Sequence, residues 1–438
     1  MGESTRFSTA IKKKEIPEEI RIGDTVSYTG SHAAFGLDSW GVRAAFEDIN
    51  KLGGIYVAEY GKRLPVRWIT HDTQSDMLRI ISLTEDLILR KKVHILGPHL
   101  EVPSMRLGMA LMANRYKIPT LVGIGPFESW MDLCETAGGP WKYVWTHSGA
   151  NIGTPPEPGD FRYGNPGYLV MPTWLGALDE YGIQTNKRVA TFAFEDSDGR
   201  GWYRLLTGIA KDKGFDCYGA DRQFGIFSST AIDFTPIIAE WKRHGCEILW
   251  GSCPGPVFGM LWKQCHEMGF RPKLVFATRA AVHYSDIAAW EGDLANGICM
   301  EVYWSPSINN ARGIGETTPG SLAERWYADT GQPLSQGIGW DYMGAQILFD
   351  AIERAGTLHP DSVVEALAKT DLITVIGRAM FEQGTQHHRA PVAFGQWRKT
   401  DKPWKWESPI VFSYNDFMPA TSDLIFPKPL CLSVETCN

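Results

Sequence analysis

Three groups of residues in this chain are of types that could do chemistry. Cys253 follows the apolar run EILWGS, where a catalytic thiol would need a base within hydrogen-bond reach, and His283 is the candidate base. Asp196 and Asp198 begin the segment DSDGRGW as a calcium loop would, but the further acidic ligands and the closing glutamate of such a loop do not follow. Arg279 follows the run KLVFAT and could bind a carboxylate through two parallel hydrogen bonds. These patterns favour binding over catalysis.

Sequence motifs of enzymes and of cofactor sites are missing from the chain. No GxGxxG follows the first predicted strand, and neither GxxxxGK[ST] nor GxSxG occurs. The eight cysteines lie mostly in apolar segments, without a CxxC pair or a cluster with histidine. We therefore predict that the protein is not an enzyme and that it holds no cofactor and no metal ion. Free cysteines of this kind are typical of a reducing compartment.

Charge and composition exclude several classes of partner. Lys and Arg number 43 and Asp and Glu 50, which gives a net charge of -7; without a basic block, nucleic acid is not a predicted partner. The longest uncharged stretches, 164–178 and 248–262, are shorter than the ~20 apolar residues of a membrane span. The first residues contain no apolar stretch after a basic start, so no secretory signal is predicted. Either the protein is cytoplasmic or the sequence is a mature form whose signal has been removed.

Short β-rich runs alternate with helical patterns along most of the chain. Before about residue 147 the predicted strands are IRIGDTVS, LPVRWIT, VHILG and TLVGIG, and after it they are RVATFAF, DCYGADRQF, EILWGS and KLVFAT. Helical patterns lie between them, and a long one covers 341–355. This alternation predicts parallel sheets with helices on both faces. The sequence therefore predicts an α/β protein of two lobes, with any ligand bound beyond the carboxyl ends of the strands.

The turns after these strands form a recognisable series. It opens with VSYTGSHAAFGLDSWGVRAAFEDINKLGGI and continues, in order, with ITHDTQSD, ILGPHLEVPS, YKIPTLVGIG, FEDSDGRGW, DFTPIIAEWKRHGCEILWG with HEMGFRPKL, and GWDYMGAQILFDAIERAG. Together these segments resemble the type I periplasmic solute-binding proteins, in particular the branched-chain amino acid (Leu/Ile/Val-binding) family of ABC transporters. The resemblance covers about residues 20–410, which is most of the chain.

The resemblance implies two Rossmann-like lobes, joined by three crossovers, that close on a ligand like a Venus flytrap. By analogy, the crossovers lie near 145–148, 303–305 and 375–377. The implied organisation is an N-terminal extension over 1–20, lobe 1 over 21–146 and 304–374, lobe 2 over 147–303 and 375–412, and a C-terminal tail over 413–438.

The resemblance also implies where a ligand binds, and the departures from the family are informative. Family members hold the ligand's carboxylate with hydroxyl side chains and backbone amides of the first lobe, and its ammonium with an acidic residue of the second lobe. Here the turn with His99 and Leu100 has no serine before Ser104, and Arg279 stands near the position of the acidic residue. Most of the other implied lining residues are aromatic. The ligand-binding residues predicted in this way are Tyr28, Phe35, His99, Leu100, Phe127, Asp198, Ser252, Arg279, Trp304 and Trp340.

An arginine among aromatic walls predicts an organic carboxylate as the ligand, such as an aromatic acid, rather than a zwitterionic amino acid. The resemblance implies a non-catalytic solute receptor of an ABC importer, with the importer's membrane subunits as partners and a periplasmic location. The alternative on the same fold is a cytoplasmic ligand sensor, similar to the amide-responsive regulators, with a regulatory protein as its partner. The missing signal and the free cysteines favour the alternative, whereas the usual role of the family favours transport, and we take transport as the prediction.

Several of these residues also have a purely structural interpretation. Arg279 could pair with an acid such as Asp286 instead of a ligand. Any single tryptophan could belong to the core, since aromatic side chains dominate core packing. His99 could be a hydrogen-bonded structural residue, and His387 and His388 lie in a polar segment, which predicts that they face solvent.

Overall fold

Two mixed β-sheets, each made mostly of parallel strands, form the frame of the molecule. They are seen in a computed structural model, which describes residues 16–148, 150–382 and 384–429. Within these ranges the strands are β1 Ile20–Val26, β2 Ile55–Val57, β3 Lys62–Leu64, β4 Val66–Asp72, β5 Ile95–Leu96, β6 Leu100–Glu101, β7 Thr120–Ile124, β8 Val144–Ser148, β9 Arg188–Phe194, β10 Asp216–Cys217, β11 Ile226–Phe227, β12 Ile248–Ser252, β13 Leu274–Thr278, β14 Cys299–Val302, β15 Asp371–Thr374, β16 Gly377–Glu382, β17 His387–Arg389, β18 Ala393–Gln396, β19 Arg398–Lys399, β20 Trp406–Glu407 and β21 Ile410–Phe412.

Helices fill most of the connections between the strands. They are α1 Ala33–Asp38, α2 Trp40–Lys51, α3 Met77–Leu89, α4 Ser104–Tyr116, α5 Phe127–Ala137, α6 Val170–Glu180, α7 Ser197–Asp212, α8 Thr235–His244, α9 Gly255–Glu267, α10 Tyr284–Ala289, α11 Pro319–Thr330, α12 Gly337–Ala355 and α13 Pro360–Ala368. Single turns of 3-10 helix cover Ala58–Tyr60, Pro166–Tyr168 and Ala220–Arg222. No helix in the described ranges has the length and apolar character needed to cross a membrane.

The first sheet has helices on both faces. Its strand order is β15-β16-β17-β8-β7-β5-β1-β4, with β6 also paired to β7. Neighbours from β17 to β4 are parallel, and β15 to β17 pair antiparallel. Successive residues of β7 point to opposite faces of the sheet. Leu121 belongs to the hydrophobic core that includes residues of α2 and α12, and Val122 belongs to the core that includes residues of α3 and α4. Strands buried on both faces in this way are typical of parallel α/β proteins.

The second sheet has the order β10-β9-β12-β13-β14-β18-β21, with β11 also paired to β9. It is parallel from β10 to β14, and β18 and β21 are antiparallel additions. Trp174 of α6 packs on this sheet, with ring centroids 4.4 Å from Trp250 and 5.2 Å from Phe276. Below, lobe 1 means the first sheet with its helices and lobe 2 the second sheet with its helices.

The chain passes between the two sheets three times, and the third passage differs from the prediction. The first passage follows β8 and the second follows β14, close to the predicted positions. The third does not lie at 375–377, because β16 and β17 pair within the first sheet and the chain crosses between Arg389 and Ala393. Residues 377–389 therefore belong to lobe 1. Their partner strand is β8, whose Thr146 precedes His387 by 241 residues, so no local pattern indicates the pairing.

Other predicted elements also differ from the structure. The predicted sheets are parallel throughout, whereas each sheet ends in antiparallel strands. The run DCYGADRQF is not one strand, because only two short strands, β10 and β11, form around a 3-10 turn. Helices α1, α5, α6, α10 and α11 were not predicted. Residues 1–15 of the predicted extension and 430–438 of the predicted tail lie outside the described residues, and 413–429 contain neither helix nor strand.

The prediction that His387 and His388 face solvent is wrong. Both side chains are buried on β17. His387 Nδ1 lies 2.8 Å from the Thr146 hydroxyl, and His388 Nδ1 lies 3.3 Å from the Met380 carbonyl. The strand is inserted between β16 and β8, and this burial overrides the polar appearance of the segment.

Candidate functional site

The carboxyl ends of the parallel strands in the two lobes meet around a closed cavity. In this arrangement of the lobes the cavity has a volume of about 40 Å³, which is room for a few water molecules. A ligand with a ring therefore requires the cavity to widen by a movement of the lobes. Both lobes and two of the crossovers contribute to it. Its lining residues are Phe35, Leu100, Val102, Gly125, Ala150, Asp198, Trp202, Arg279, Val282, His283, Glu301, Tyr303 and Trp340.

Much of the cavity wall is apolar and aromatic. Trp202 of α7 and Trp340 of α12 are buried on opposite sides of the cleft. Tyr303, at the second crossover, lies against Trp340 with a ring-centroid distance of 4.3 Å. Phe35 of α1 meets the ring of His283 edge-on at 4.5 Å. Flat aromatic walls of this kind suit a ligand that contains a ring.

Arg279 lies in the cavity wall, but its charge is already balanced within lobe 2. Its Nη1 donates to Oδ2 of Asp196 and to Oδ2 of Asp198, each at 2.9 Å. Burial alone would lower the pKa of Arg279, but the two carboxylates outweigh it and the pKa is raised. Nη1 is therefore engaged by protein, and the two-point bond to a carboxylate that the sequence predicted is not available on that side. The ion-pair partners are these two aspartates and not Asp286.

Five lining side chains have a buried polar atom without a hydrogen-bond partner among the residues that the structure describes. The atoms are Arg279 Nε, His283 Nε2, Glu301 Oε2, Tyr303 Oη and Trp340 Nε1. Buried polar groups are nearly always hydrogen-bonded, and each unsatisfied one costs about 1–3 kcal/mol. Their concentration around one aromatic cavity is typical of a site that a polar ligand completes.

Two carboxyl groups in the cavity wall ionise near neutral pH. Burial raises the pKa of Asp198 to about 7, against the opposing effect of Arg279. Burial likewise raises the pKa of Glu301 to about 7. The Ser252 hydroxyl donates to Asp198 Oδ2 at 3.2 Å, which partly compensates its loss of water. Perturbed pKa values in a cleft are a mark of functional sites.

We expect Glu301→Gln to stabilise the ligand-free protein at pH 8 and to have little effect at pH 4. The pKa of Glu301 is about 7 in the fold and ~4.3 in an unfolded chain, so the folded state holds the proton more tightly and stability is lost as the pH rises between these values. At about 1.4 kcal/mol per pKa unit, the loss reaches about 3–4 kcal/mol above pH 7. Denaturant unfolding at both pH values measures the difference. Equal stability of the two proteins at pH 8 would contradict a buried, ionised Glu301.

Polar contacts across the cleft hold the two lobes together in a closed arrangement. Arg279 of lobe 2 donates through Nη2 to Nε2 of His32, in the turn after β1, at 3.0 Å. Burial and the neighbouring Arg279 lower the pKa of His32 to about 3, so its ring accepts this bond in the neutral form. His283 Nδ1 of lobe 2 lies 3.0 Å from Asp38 Oδ2 of lobe 1. Burial would lower the pKa of His283, but Asp38 outweighs it and the pKa is raised.

A buried network beneath the cavity fixes the lobe 1 turns that border it. Arg106 of α4 donates through Nη1 to Asp24 Oδ1 at 2.7 Å and to the Thr25 carbonyl at 2.9 Å, and through Nη2 to the His99 carbonyl. His99 Nδ1 lies 2.6 Å from Asp341 Oδ2. Burial lowers the pKa of His99 to about 4 and raises that of Asp341, which favours a neutral hydrogen-bonded pair. The network ties the carboxyl end of β1 to the turn after β5 and to α12.

The ten predicted site residues fall into two sets. Half of them lie in the cavity wall, and their contact with a ligand stays a prediction: Phe35, Leu100, Asp198, Arg279 and Trp340. The other half lie outside the wall, and their side chains bond to or stack on protein groups: Tyr28 with Thr70, His99 with Asp341, Phe127 with His387, Ser252 with Asp198, and Trp304 with the carbonyl of Val375. Successive residues after a strand point in different directions, so an error of one position turns a side chain away from the cleft.

The sequence analysis missed Trp202, Glu301 and Tyr303, and it considered His283 only as a catalytic base. Glu301 did carry a signal, because it is the one charged residue in the apolar run GICMEVYW of a buried strand. Tyr303 lies two positions further, and residues two apart on an extended chain point to the same side. Trp202 carried no signal that separates it from the core tryptophans.

The other chemical candidates have structural roles. Asp196 caps α7 by accepting the backbone N–H of Gly199 at 2.7 Å, as expected of a strand-to-helix turn. Within the described ranges, no group of three or more His, Cys, Asp or Glu side chains could hold a metal ion. Cys253 is fully buried, and this burial raises its pKa well above that of a free thiol. A thiol in that state is a poor nucleophile.

Two α/β lobes, three crossovers and a closed cavity between the lobes define a bilobal ligand-binding protein. A family model described as "Periplasmic binding protein" matches residues 19–402. The chain belongs to this family. The family and the fold class predicted from the sequence are thereby confirmed.

Individual relatives are distant in sequence. A protein of Brucella abortus named Leu/Ile/Val-binding protein homolog 8 is 23% identical over 180 residues, which are 39% of this chain and only 43% of that protein. A leucine-binding protein from Thermotoga maritima superposes with a TM-score of 0.69 at 17% identity, over 90% of this chain and 99% of that one. A solute-binding protein of an ABC transporter from Rhodopseudomonas palustris, in complex with 3,4-dihydroxybenzoic acid, superposes with a TM-score of 0.67 at 16% identity, over 92% and 99% of the two chains. Similarity at this level supports the fold.

Proposed function

We propose that the protein is a solute receptor that encloses a small organic ligand between its lobes and delivers it to an ABC importer. The observation that carries the proposal is the set of unsatisfied polar atoms around a closed aromatic cavity. A ligand that binds the closed arrangement of the lobes more tightly raises the population of the closed state, and a partner can recognise that state. The proposed partner is the membrane part of the importer, and the proposed location is therefore outside the cytoplasm. The family supports this role over that of a cytoplasmic sensor.

The proposed ligand is a ring-bearing organic carboxylate. The aromatic walls suit the ring, and three of the unsatisfied atoms, Arg279 Nε, Trp340 Nε1 and His283 Nε2, can donate hydrogen bonds to a carboxylate. Asp198 can take up a proton as the anion enters, because its pKa is about 7. The complex of the Rhodopseudomonas palustris protein with an aromatic acid supports the same ligand class.

We expect a thermal-shift screen to select aromatic acids over aliphatic acids and amino acids. A ligand at ~100 times its dissociation constant adds ~2.7 kcal/mol to the free energy of unfolding, which raises the melting temperature measurably. Trp340→Leu removes a cavity wall and should abolish the shift. Trp404→Leu is the matched control, since Trp404 lies in a separate groove beside Tyr327 and should leave the shift unchanged. A shift with leucine-like amino acids alone would contradict the proposed ligand class.

A further inference from the structure

Glu301 is a buried carboxyl group with one oxygen bonded and the other free. It lies on β14, and only 3% of its surface is exposed. Oε1 accepts the backbone N–H of Arg279 at 3.3 Å. Oε2 has no hydrogen-bond partner in the described part of the chain, and the side chain lines the cavity. Glu301 therefore presents an unused acceptor to whatever fills the cavity.

The basic side chains closest to the cavity are already paired with acidic side chains other than Glu301. The guanidinium of Arg279 is paired with Asp196 and Asp198, and the ring of His283 is paired with Asp38. Burial dominates the raised pKa of Glu301, and backbone hydrogen bonds provide the main opposing effect. No cation among the described residues is paired with Glu301, so burial disfavours its ionised form.

Tyr303 extends the polar surface of Glu301. Its hydroxyl lies near the Glu301 carboxyl but forms no well-aligned hydrogen bond among the described residues. Because Glu301 and Tyr303 are two positions apart on an extended segment, both side chains point to the same side. Together they form one polar part of the cavity wall, beside the second crossover.

We propose that Glu301, with Tyr303 beside it, selects ligands that carry a hydrogen-bond donor, such as a ring hydroxyl, in addition to the carboxylate. The inference rests on the proposed function and narrows its ligand class to hydroxylated ring acids. A ligand without the donor would leave the buried Oε2 unpaired, and a site built around a buried polar group discriminates strongly against ligands that do not satisfy it. Glu301 therefore determines which ligands bind, by discriminating against those without a hydrogen-bond donor.

Isothermal titration with matched ligand pairs tests the proposal. The probes are benzoate with 3- and 4-hydroxybenzoate, and phenylacetate with 4-hydroxyphenylacetate, each titrated into the full-length wild-type protein, Glu301→Gln and Glu291→Gln. At pH 8, where Glu301 is mostly ionised, we expect the wild type to bind a hydroxylated member at least about tenfold more tightly than its parent, as for a hydrogen bond to a charged group. In Glu301→Gln the amide oxygen can still accept the Arg279 N–H, but its NH₂ replaces Oε2 and opposes a ligand donor, so the preference should vanish. Glu291 is exposed and paired with Lys263 away from the cavity, so Glu291→Gln should keep the preference.

Each outcome of this experiment has a distinct meaning. Equal affinities within the pairs, or a preference that survives in Glu301→Gln, would overturn the role of Glu301 and leave the proposed receptor function intact. A water molecule bonded to Oε2 in the complex would produce that result. If the wild type binds none of the probes, the proposed ligand class is wrong. The proposed role of Glu301 in selecting hydroxylated ring acids is then wrong as well.

Discussion

Arg106→Met should destabilise the folded protein by about 3–5 kcal/mol, the usual effect of removing one partner of a buried ion pair. The guanidinium is fully buried and bonds to Asp24 Oδ1 at 2.7 Å as well as to the carbonyls of Thr25 and His99. Without it, the buried Asp24 carboxylate loses its guanidinium partner, and the carboxyl end of β1 loses its bond to the turn after β5. Urea unfolding at pH 7 measures the change in the free energy of unfolding.

The matched control is Arg115→Met on the same helix. Arg115 is exposed and lies 3.7 Å from Glu85, and such surface pairs contribute about 0–1 kcal/mol. The double variant Asp24→Asn with Arg106→Met should recover part of the lost stability, because the uncompensated charge is removed. Similar losses for Arg106→Met and Arg115→Met would show that the buried pair does not hold the lobe 1 turns.

Arg279→Met should abolish ligand binding and destabilise the ligand-free protein by about 3–5 kcal/mol at pH 8. The variant loses the donor at Nε, the cross-lobe bond to His32 and the cation that balances Asp196 and Asp198. Burial already raises the pKa of Asp198 to about 7, and without Arg279 it rises further. Below that pKa the carboxyl group is protonated, so the loss of stability should be smaller at pH 5.5 than at pH 8.

The control for this variant is Arg200→Met, on the same lobe. The side chain of Arg200 is 49% exposed and pairs with Glu195, so its loss should change the free energy of unfolding by less than about 1 kcal/mol at either pH. Binding is measured by titration calorimetry and stability by urea unfolding. A loss of stability in Arg279→Met that is independent of pH would show that Asp198 is not the group left uncompensated. Unchanged ligand affinity would remove Arg279 from the binding site.

The local parts of the fold could be predicted from the sequence. Helix α12 ends at Ala355, where the predicted helical pattern 341–355 ends, and β1, β7, β9, β12 and β13 lie within the predicted apolar runs. Local periodicity predicts such elements because the spacing of apolar residues within one segment determines which face of that segment is buried. The pairing of β17 with β8 was not predictable, because it joins segments that are far apart in sequence and involves histidines that look solvated.

The candidate site could be located from the sequence, but its charge balance could not. Arg279 was placed in the cleft by its position after a strand, whereas its ion-pair partners precede it by 83 and 81 residues. From residue types alone, Arg279 was expected to be unpaired and therefore available to bind an anionic ligand. In the structure, Arg279 is instead paired with two aspartates, and Glu301 Oε2 has no hydrogen-bond partner among the described residues. Which charges meet in a cleft depends on which strand ends the fold places side by side, and no short segment of the sequence determines that.

A crystal structure with the ligand that gives the largest thermal shift tests the central claim most directly. The account predicts that the ligand fills the cavity between the lobes, with its ring between Trp202 and Trp340 and polar atoms within hydrogen-bond distance of Arg279 Nε and Glu301 Oε2. A ligand bound elsewhere on the protein, with the cavity filled only by water, would contradict the claim that this chain encloses its solute between two closed lobes.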